Sequence, residues 1–286
     1  MSSPASSTDL YCVLGNPVAH SRSPWIHARF AELTGERLRY EARLVPLGGF
    51  ADAIAQLAKQ GVRGCNVTVP FKLDAAKAAT QCSERVRLAD AANTLIFSGD
   101  ALVADNTDGL GLVADIAQNA GFEMAGRDVL LLGAGGAAAG ALAPLLAQRP
   151  RRVVVANRTL ARAEALVQAH AALALLHKTE LLTQSPKALE HDFDLIINAT
   201  ASSLAGAAVP VPASVLRPGC LAYDMMYGPS AQGFLNWATA GGAQARDGLG
   251  MLVEQAAEAF ALWRGVRPPA AQVLSELRLH MAAGTA

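Results

Sequence analysis

The chain has 286 residues, 52% of them hydrophobic and 17% charged, enough apolar material to fill two ordinary domains or one large one and too much for a disordered chain. Its 24 basic residues balance 24 acidic ones, so no net field draws it onto nucleic acid or an anionic membrane. Cys12, Cys65, Cys82 and Cys220 form no CxxC pair and stand among apolar neighbours, which suits buried thiols in a reducing compartment rather than a disulfide framework or a zinc site.

The opening MSSPASSTD lacks the basic and apolar regions of a signal peptide and reads as a short disordered tail, which makes the cytoplasm the expected compartment. "YCVLG" at 11–15 reads as a strand, and a helix follows in which Ser23 is suited to the N-cap and Pro24 to the first helical position. Ile26, Phe30 and Leu33 share one face of that helix, and Gly35 is placed to end it. "LRYEARLV" at 38–45 alternates as a strand, 50–60 reads as a helix, and "VRGCNVTV" at 62–69 as the next strand, stopped by Pro70, which has no N–H to give. "LDAAKAAT" then reads as helical, and "NTLIF" and "ALVAD", joined by "SGD" across 93–105, as a hairpin, so the first sheet is expected to be mixed.

From 109 the pattern changes. The helical "GLGLVADIAQNAG" leads into four apolar runs, "RDVLLLGAGG", "RRVVVANR", "FDLIINAT" and "GCLAYDM", separated mostly by helical stretches. Such runs imply a parallel sheet covered on both faces. Val129 to Ala147 is uncharged and long enough to span a bilayer, but Gly133, Gly135, Gly136, Gly140 and Pro144 divide it into strand, tight turn and helix. Helices at about 248–264 and 270–282 come last and are expected to return to the first domain.

"LLLGAGGAAAG" places Gly133, Gly135 and Ala138 at the G-x-G-x-x-A positions between a strand and a helix, where backbone N–H groups and the helix dipole favour a pyrophosphate. The next strand ends not in an acid but in Asn157, Arg158 and Thr159, with Arg162 a turn later. Guanidinium groups there suit the 2′-phosphate of NADP, and an acid would repel it.

Four polar groups sit at predicted strand ends: Ser21 and Ser23; Asn66, Thr68 and Lys72; Asn93 and Thr94; Asn106, Thr107 and Asp108. Hydroxyls and amides so placed suit a polyhydroxylated or carboxylated small molecule. Taken alone, Ser23 reads equally as a helix cap, Asn93 and Asn106 as turn formers, and Lys72 as a solvated lysine.

Several long motifs in one order resemble the shikimate dehydrogenase family over almost the whole chain: "GNPVAHSRSPWIH", "NVTVPFK", "NTDG", "GAGGA" with "NRT", and "DGLGMLVEQAA". The resemblance implies that Ser21 and Ser23 bind a substrate carboxylate, that Lys72 and Asp108 form the catalytic pair, and that Asn66, Asn93 and Gln255 hold ring hydroxyls, with Thr68 and Tyr227 beside them. It implies cofactor contacts from Gly133, Ala134, Gly135, Gly136, Ala137, Asn157, Arg158, Thr159, Arg162 and Thr200, with Gly248 and Met251 near the nicotinamide. The chain departs from the family pattern at Ala138 and Ala139, where Ser-Arg is frequent, at Ala201 and Ser203, where Ser and Gly are usual, and at Asp90, where a glycine is usual.

The expected fold is therefore α/β: an N-terminal mixed-sheet substrate and catalytic domain over 1–108, a Rossmann-like doubly wound NADP domain over 109–246, and C-terminal helices over 247–286 packing on the first domain. The activity implied is reversible NADPH-dependent reduction of 3-dehydroshikimate to shikimate, with no nucleic-acid or membrane partner and a monomer or homodimer as the assembly. A quinate-using enzyme of the same fold and a non-catalytic NADP-sensing homologue stay open at this point.

Overall fold

The computed structural model describes residues 8–190, 192–200 and 208–283; the expected N-terminal tail and the departures at Ala201 and Ser203 lie outside them, the tail's last two residues excepted. By packing, the chain divides into two units, one of residues 1–107 with 255–286 and the other of residues 108–254.

The first unit is built on a mixed sheet. Strands β1 (Asp9–Gly15), β2 (Leu38–Leu44), β3 (Gly64–Val67), β4 (Gln81–Cys82), β5 (Thr94–Ser98) and β6 (Ala101–Asp105) lie in the order β2-β1-β3-β5-β6-β4. Only β5 runs against its neighbours, because the tight 99–100 turn of the β5–β6 hairpin reverses the chain. Helices α1 (Ser23–Thr34), α2 (Phe50–Lys59), α3 (Lys72–Ala78) and α4 (Glu84–Ala89) connect the strands. Cys12, Leu14, Cys65, Val67, Phe71 and Leu95 lie in one core cluster, with Phe50 stacked 5.5 Å from Phe71.

Two details differ from the sequence reading. Arg22, not Ser23, occupies the N-cap of α1, and Ser23 is the first helical residue with its side chain buried. The strand expected over 62–69 closes at Val67, and a turn in which the Phe71 N–H donates to the Thr68 carbonyl at 3.0 Å delivers Lys72 as the first residue of α3. Asp90 adopts φ 49°, the left-handed conformation, as the C-cap of α4. The position favours glycine, and an acidic side chain tolerates it better than most.

The second unit opens with α5 (Asp108–Ala114), which continues as a π turn over Asp115–Asn119. Six parallel strands follow: β7 (Asp128–Leu132), β8 (Arg152–Ala156), β9 (Glu180–Gln184), β10 (Phe193–Asn198), β11 (Leu216–Asp224) and β12 (Gln244–Arg246), in the order β12-β11-β10-β7-β8-β9. Sequence reading found four of them; β9 and β12 are short edge strands, one-sided and therefore poor in apolar signal. Alternate residues feed two cores. Val129, Leu131, Val153, Val155, Leu195 and Ile197 face α6 (Gly136–Ala147) and α7 (Leu160–His177), while Leu130, Leu132, Val154, Ala156 and Ile196 face α8 (Gln232–Ala240). No helix among the described residues is long and apolar enough to cross a membrane.

Helix α9 (Leu249–Arg264) is divided between the units at Glu254/Gln255, and α10 (Ala270–Ala282) belongs to the first. The first turns of α9 stay with the second unit because Gly250 packs on the buried Asp115 carboxylate; a Cβ there would lie 2.0 Å from Oδ1. Tyr223 donates to that carboxylate at 2.7 Å, Arg246 at 2.6 and 3.0 Å, and Asn119 at 3.0 Å. Beyond the division, α10 packs on α1, where Arg29 donates to Glu276 at 2.6 and 3.1 Å.

Candidate active site

One edge of the first sheet gathers the polar residues. The ends of β1, β3 and β6 and the start of antiparallel β5 all fall there. Asn93 is the hub: its Nδ2 donates to Thr107 Oγ1 at 3.0 Å and to Gln255 Oε1 at 3.1 Å, and its Oδ1 accepts from the Thr107 backbone at 2.8 Å and from the Thr94 hydroxyl at 2.9 Å. Asn66 joins through Nδ2, 3.2 Å from both the Asn93 carbonyl and Thr94 Oγ1, and through Oδ1, which accepts from the Tyr40 hydroxyl at 2.7 Å. All of these side chains are buried, so each hydrogen bond avoids a desolvation cost of about 1–3 kcal/mol.

The supports are equally specific. Asp105 accepts from Ser83 at 2.7 Å and from Arg85 at 2.6 and 3.1 Å, and it holds the Asn106 backbone at 2.7 Å, which sets the loop leading to Asp108. Lys72 is half-buried, and its carbonyl accepts from Ala92, the residue before Asn93, at 2.9 Å. Ser21 Oγ accepts from the Ser23 backbone at 3.3 Å. Thr68 lies one residue past β3, packed where a Cβ on Gly15 would come within 2.5 Å of its methyl.

The sequence reading passed over His27 and Tyr40. Their signal was position: His27 lies four residues after Ser23, on the inner face of α1, and Tyr40 is the one buried residue of β2. Their rings stack at 4.1 Å with 6° between planes, and Phe30, Phe260 and Trp263 complete the cluster. Neither His27 ring nitrogen has a hydrogen-bond partner among the described residues. Burial pushes the imidazole down to about 3, outweighing the opposing influence of the Asn66 amide.

The sign follows. An unfolded imidazole titrates near 6.5, so between pH 6.5 and about 3 the unfolded chain binds a proton that the native one refuses. Stability from this group is full above the window and falls with pH through it, at up to roughly 1.4 kcal/mol per pH unit. Urea midpoints for His27→Phe are expected to decline less steeply below pH 6.5 than those of the unaltered chain; parallel curves would assign the acid sensitivity elsewhere.

In the second unit, strand order reverses between β7 and β10, the place where this type of sheet takes its ligand. Gly133 follows β7 with φ 107°, and a Cβ there would press on Ala199 O at 3.1 Å. Gly135 and Gly136 border open space, and α6 starts with no side-chain cap on its N–H groups. Ala134 and Ala137 are half-buried beside them, and Ala138 is fully buried in the core, so its methyl serves helix-to-sheet contact. An exposed, uncapped glycine turn at a helix N-terminus fits a dinucleotide pyrophosphate.

At the end of β8, Asn157 Nδ2 donates to the Thr159 carbonyl at 2.8 Å and closes the turn into α7. Arg158 and Arg162 are exposed, and neither has an ion-pair partner among the described residues. Thr200 donates to Asn198 Oδ1 at 2.7 Å, and Asn198 donates to the buried Asp224 at 3.1 Å, tying the ends of β10 and β11. Gly248 passes so close to Met225 that a Cβ would lie 2.3 Å from its carbonyl, and the Met251 N–H donates to Tyr223 at 3.3 Å. The candidate residues thus fall in two groups. Ser21, Ser23, Asn66, Thr68, Lys72, Asn93 and Gln255 belong to the first unit; Asp108, Tyr227, Gly248, Met251 and the glycine-loop and arginine residues belong to the second.

A parallel sheet wound both ways with a glycine turn at its switch point defines a dinucleotide-binding unit, here carried on one chain with a separate α/β unit rich in buried hydroxyls and amides. Family profiles match in the same arrangement: the shikimate dehydrogenase substrate binding domain over residues 13–95, shikimate / quinate 5-dehydrogenase over 115–206, and the shikimate 5′-dehydrogenase C-terminal domain over 248–278. A shikimate dehydrogenase (NADP(+)) of Acidovorax sp. (strain JS42) is 72% identical over 97% of this chain and 99% of its own length. Among solved structures, an Ael1 enzyme from Pseudomonas putida is 44% identical, covering 94% of this chain and 98% of its own, with a TM-score of 0.88. The shikimate 5-dehydrogenase of Thermus thermophilus in complex with NADP(H) and shikimate is 33% identical over 94% and 98%, with a TM-score of 0.81. The chain belongs to the shikimate dehydrogenase family.

Proposed function

We propose that this chain catalyses the reversible NADPH-dependent reduction of 3-dehydroshikimate to shikimate, a step of chorismate and aromatic amino-acid biosynthesis. The observation that carries the reading is full-length likeness: relatives 52% to 72% identical, matched over at least 95% of both chains, are shikimate dehydrogenases named for NADP(+).

Ser21 and Ser23 present hydroxyls to the substrate carboxylate, and Asn66, Asn93 and Gln255 hold ring hydroxyls, with Thr68 and Tyr227 adding contacts. Gly133 to Ala137 and the N-terminus of α6 take the pyrophosphate. Arg158 and Arg162, with Asn157 and Thr159, take the 2′-phosphate. Thr200, Gly248 and Met251 flank the nicotinamide. Bound NADPH supplies the hydride. Charge then grows on the carbonyl oxygen, and Lys72 Nζ delivers a proton to that oxygen, Asp108 being the second member of the pair. In the reverse direction the same nitrogen takes the hydroxyl proton. The four free thiols support a reducing, cytoplasmic setting, and the working assembly is a monomer or homodimer.

Initial rates with shikimate or quinate, each with NADP or NAD, test the reading. Shikimate with NADP is expected to lead. A preference for quinate with NAD would replace the assignment with the neighbouring activity, and cofactor binding without turnover of either substrate would make the chain a sensor.

A further inference from the structure

Proline has no N–H, so Pro144, inside α6, cannot donate to the carbonyl four residues before it, that of Gly140. That carbonyl meets another helix instead. Gly109, the second residue of α5, packs against it so closely that a Cβ on Gly109 would lie 2.2 Å from Gly140 O, 2.8 Å from Pro144 Cγ and 3.0 Å from Ala141 Cα. Both glycines are buried, and α5 packs on α6 along this contact. Only bare backbone permits such an approach, in which a Cα–H faces a carbonyl between helices.

The far end of α5 is held as well. Asp115, the residue after Ala114, is buried and accepts from Tyr223 at 2.7 Å, from Arg246 at 2.6 and 3.0 Å and from Asn119 at 3.0 Å. Between the two seats run the residues of α5, roughly 10 Å of helix at 1.5 Å per residue. Asp108 adjoins the first seat, and Gly136, one turn before Gly140, opens α6. The contact at Gly109 therefore sets how Asp108 stands to the turn of α6 read as holding the pyrophosphate. Every residue of it belongs to the second unit.

We propose that Gly109 is a positioning residue for Asp108: its bare Cα seats α5 on the Gly140 carbonyl and so fixes Asp108 against the helix that bears the dinucleotide turn. The inference rests on the reading of Asp108 as the second member of the catalytic pair and of the α6 N-terminus as the pyrophosphate site. An alanine at 109 cannot keep the contact, because a Cβ needs 3.0 Å or more and the opposing atom is backbone rather than a flexible side chain. Helix α6 follows β7 by a short glycine turn and is buried at Ala138, Ala141, Leu142, Leu145 and Leu146, so α5 is the helix that yields. Pinned at Asp115, α5 tilts, and the tilt moves Asp108 most. A displacement of about 1 Å is enough to lower a rate by about 10²-fold.

The test is a double-mutant cycle of Gly109→Ala with Asp108→Asn, read in kcat, in the KM for shikimate and in the Kd for NADP by calorimetry. Gly109→Ala is expected to lower kcat by about 10²-fold, with the KM for shikimate and the Kd for NADP each within about 3-fold of the original. In the Asp108→Asn background the same substitution is expected to lower kcat by less than about 3-fold further, since the group it misplaces is already disabled. Losses that multiply, or an unchanged kcat in a folded Gly109→Ala, overturn the inference and leave the proposed function standing. A Kd for NADP that rises as far as kcat falls also overturns it, making the glycine a support of the cofactor turn. An unchanged kcat in Asp108→Asn overturns the reading of Asp108 and the inference with it. If Gly109→Ala does not fold, Ala141→Val crowds the same contact from α6, and the same cycle decides, multiplied losses again overturning the inference.

Discussion

Lys72→Ala is expected to lower kcat for shikimate oxidation and dehydroshikimate reduction by about 10²–10⁴-fold, the usual contribution of a positioned proton donor. The loss should fall on kcat far more than on KM, because the proton is needed only as charge develops on oxygen. Lys72 is the first residue of α3, and its carbonyl, which bonds Ala92, is untouched by the substitution. Alanine is also a good helix former, so the thermal transition should move little. A folded variant with kcat within about 3-fold of the original would remove the lysine from the chemistry. Asp108→Asn belongs in the same experiment: a comparable loss in kcat is expected, and a purely KM effect would make Asp108 a binding residue instead.

The second large effect concerns the cofactor. Arg158→Ala with Arg162→Ala is expected to raise the KM for NADP by about 10²-fold, roughly 1.4 kcal/mol for each exposed charge-assisted contact, and to leave kcat/KM with NAD within about 3-fold. Both guanidinium groups are exposed and have no acidic partner among the described residues, so their removal strands no buried charge. The preference should also weaken as salt is raised, since exposed charges are screened. Equal losses with both dinucleotides would place the arginines in general folding or pyrophosphate contact rather than 2′-phosphate recognition.

What could be read along the chain was read from short-range pattern. The apolar runs at 129–132, 153–156 and 195–197 announce buried strands, and the residues lie in a sheet covered on both faces. The glycine turn after β7 was legible because its requirement is local: a positive φ at Gly133 and open space at Gly135 and Gly136. Edge strands were not, because β12 has three residues and one neighbour. At Ser23 local chemistry gave the wrong answer: the residue suits a cap, but Arg22 takes that place and Ser23 is buried as the first helical residue, its backbone N–H on Ser21 Oγ. At Asp90 the sequence marked a departure that only the backbone explains, a left-handed C-cap.

By itself, then, the sequence determined the two-sheet α/β plan, the glycine turn after β7, the arginines after β8, and the roll of hydroxyls and amides near the strand ends, since each depends on neighbours within a few positions. Only the tertiary structure decided how those polar groups are spent. Asn93 meets Gln255 across 162 positions and Asn66 meets Tyr40 across 26. A side-chain amide reads the same in any sequence; which of its atoms faces the ligand is settled by the partners that folding brings to the others.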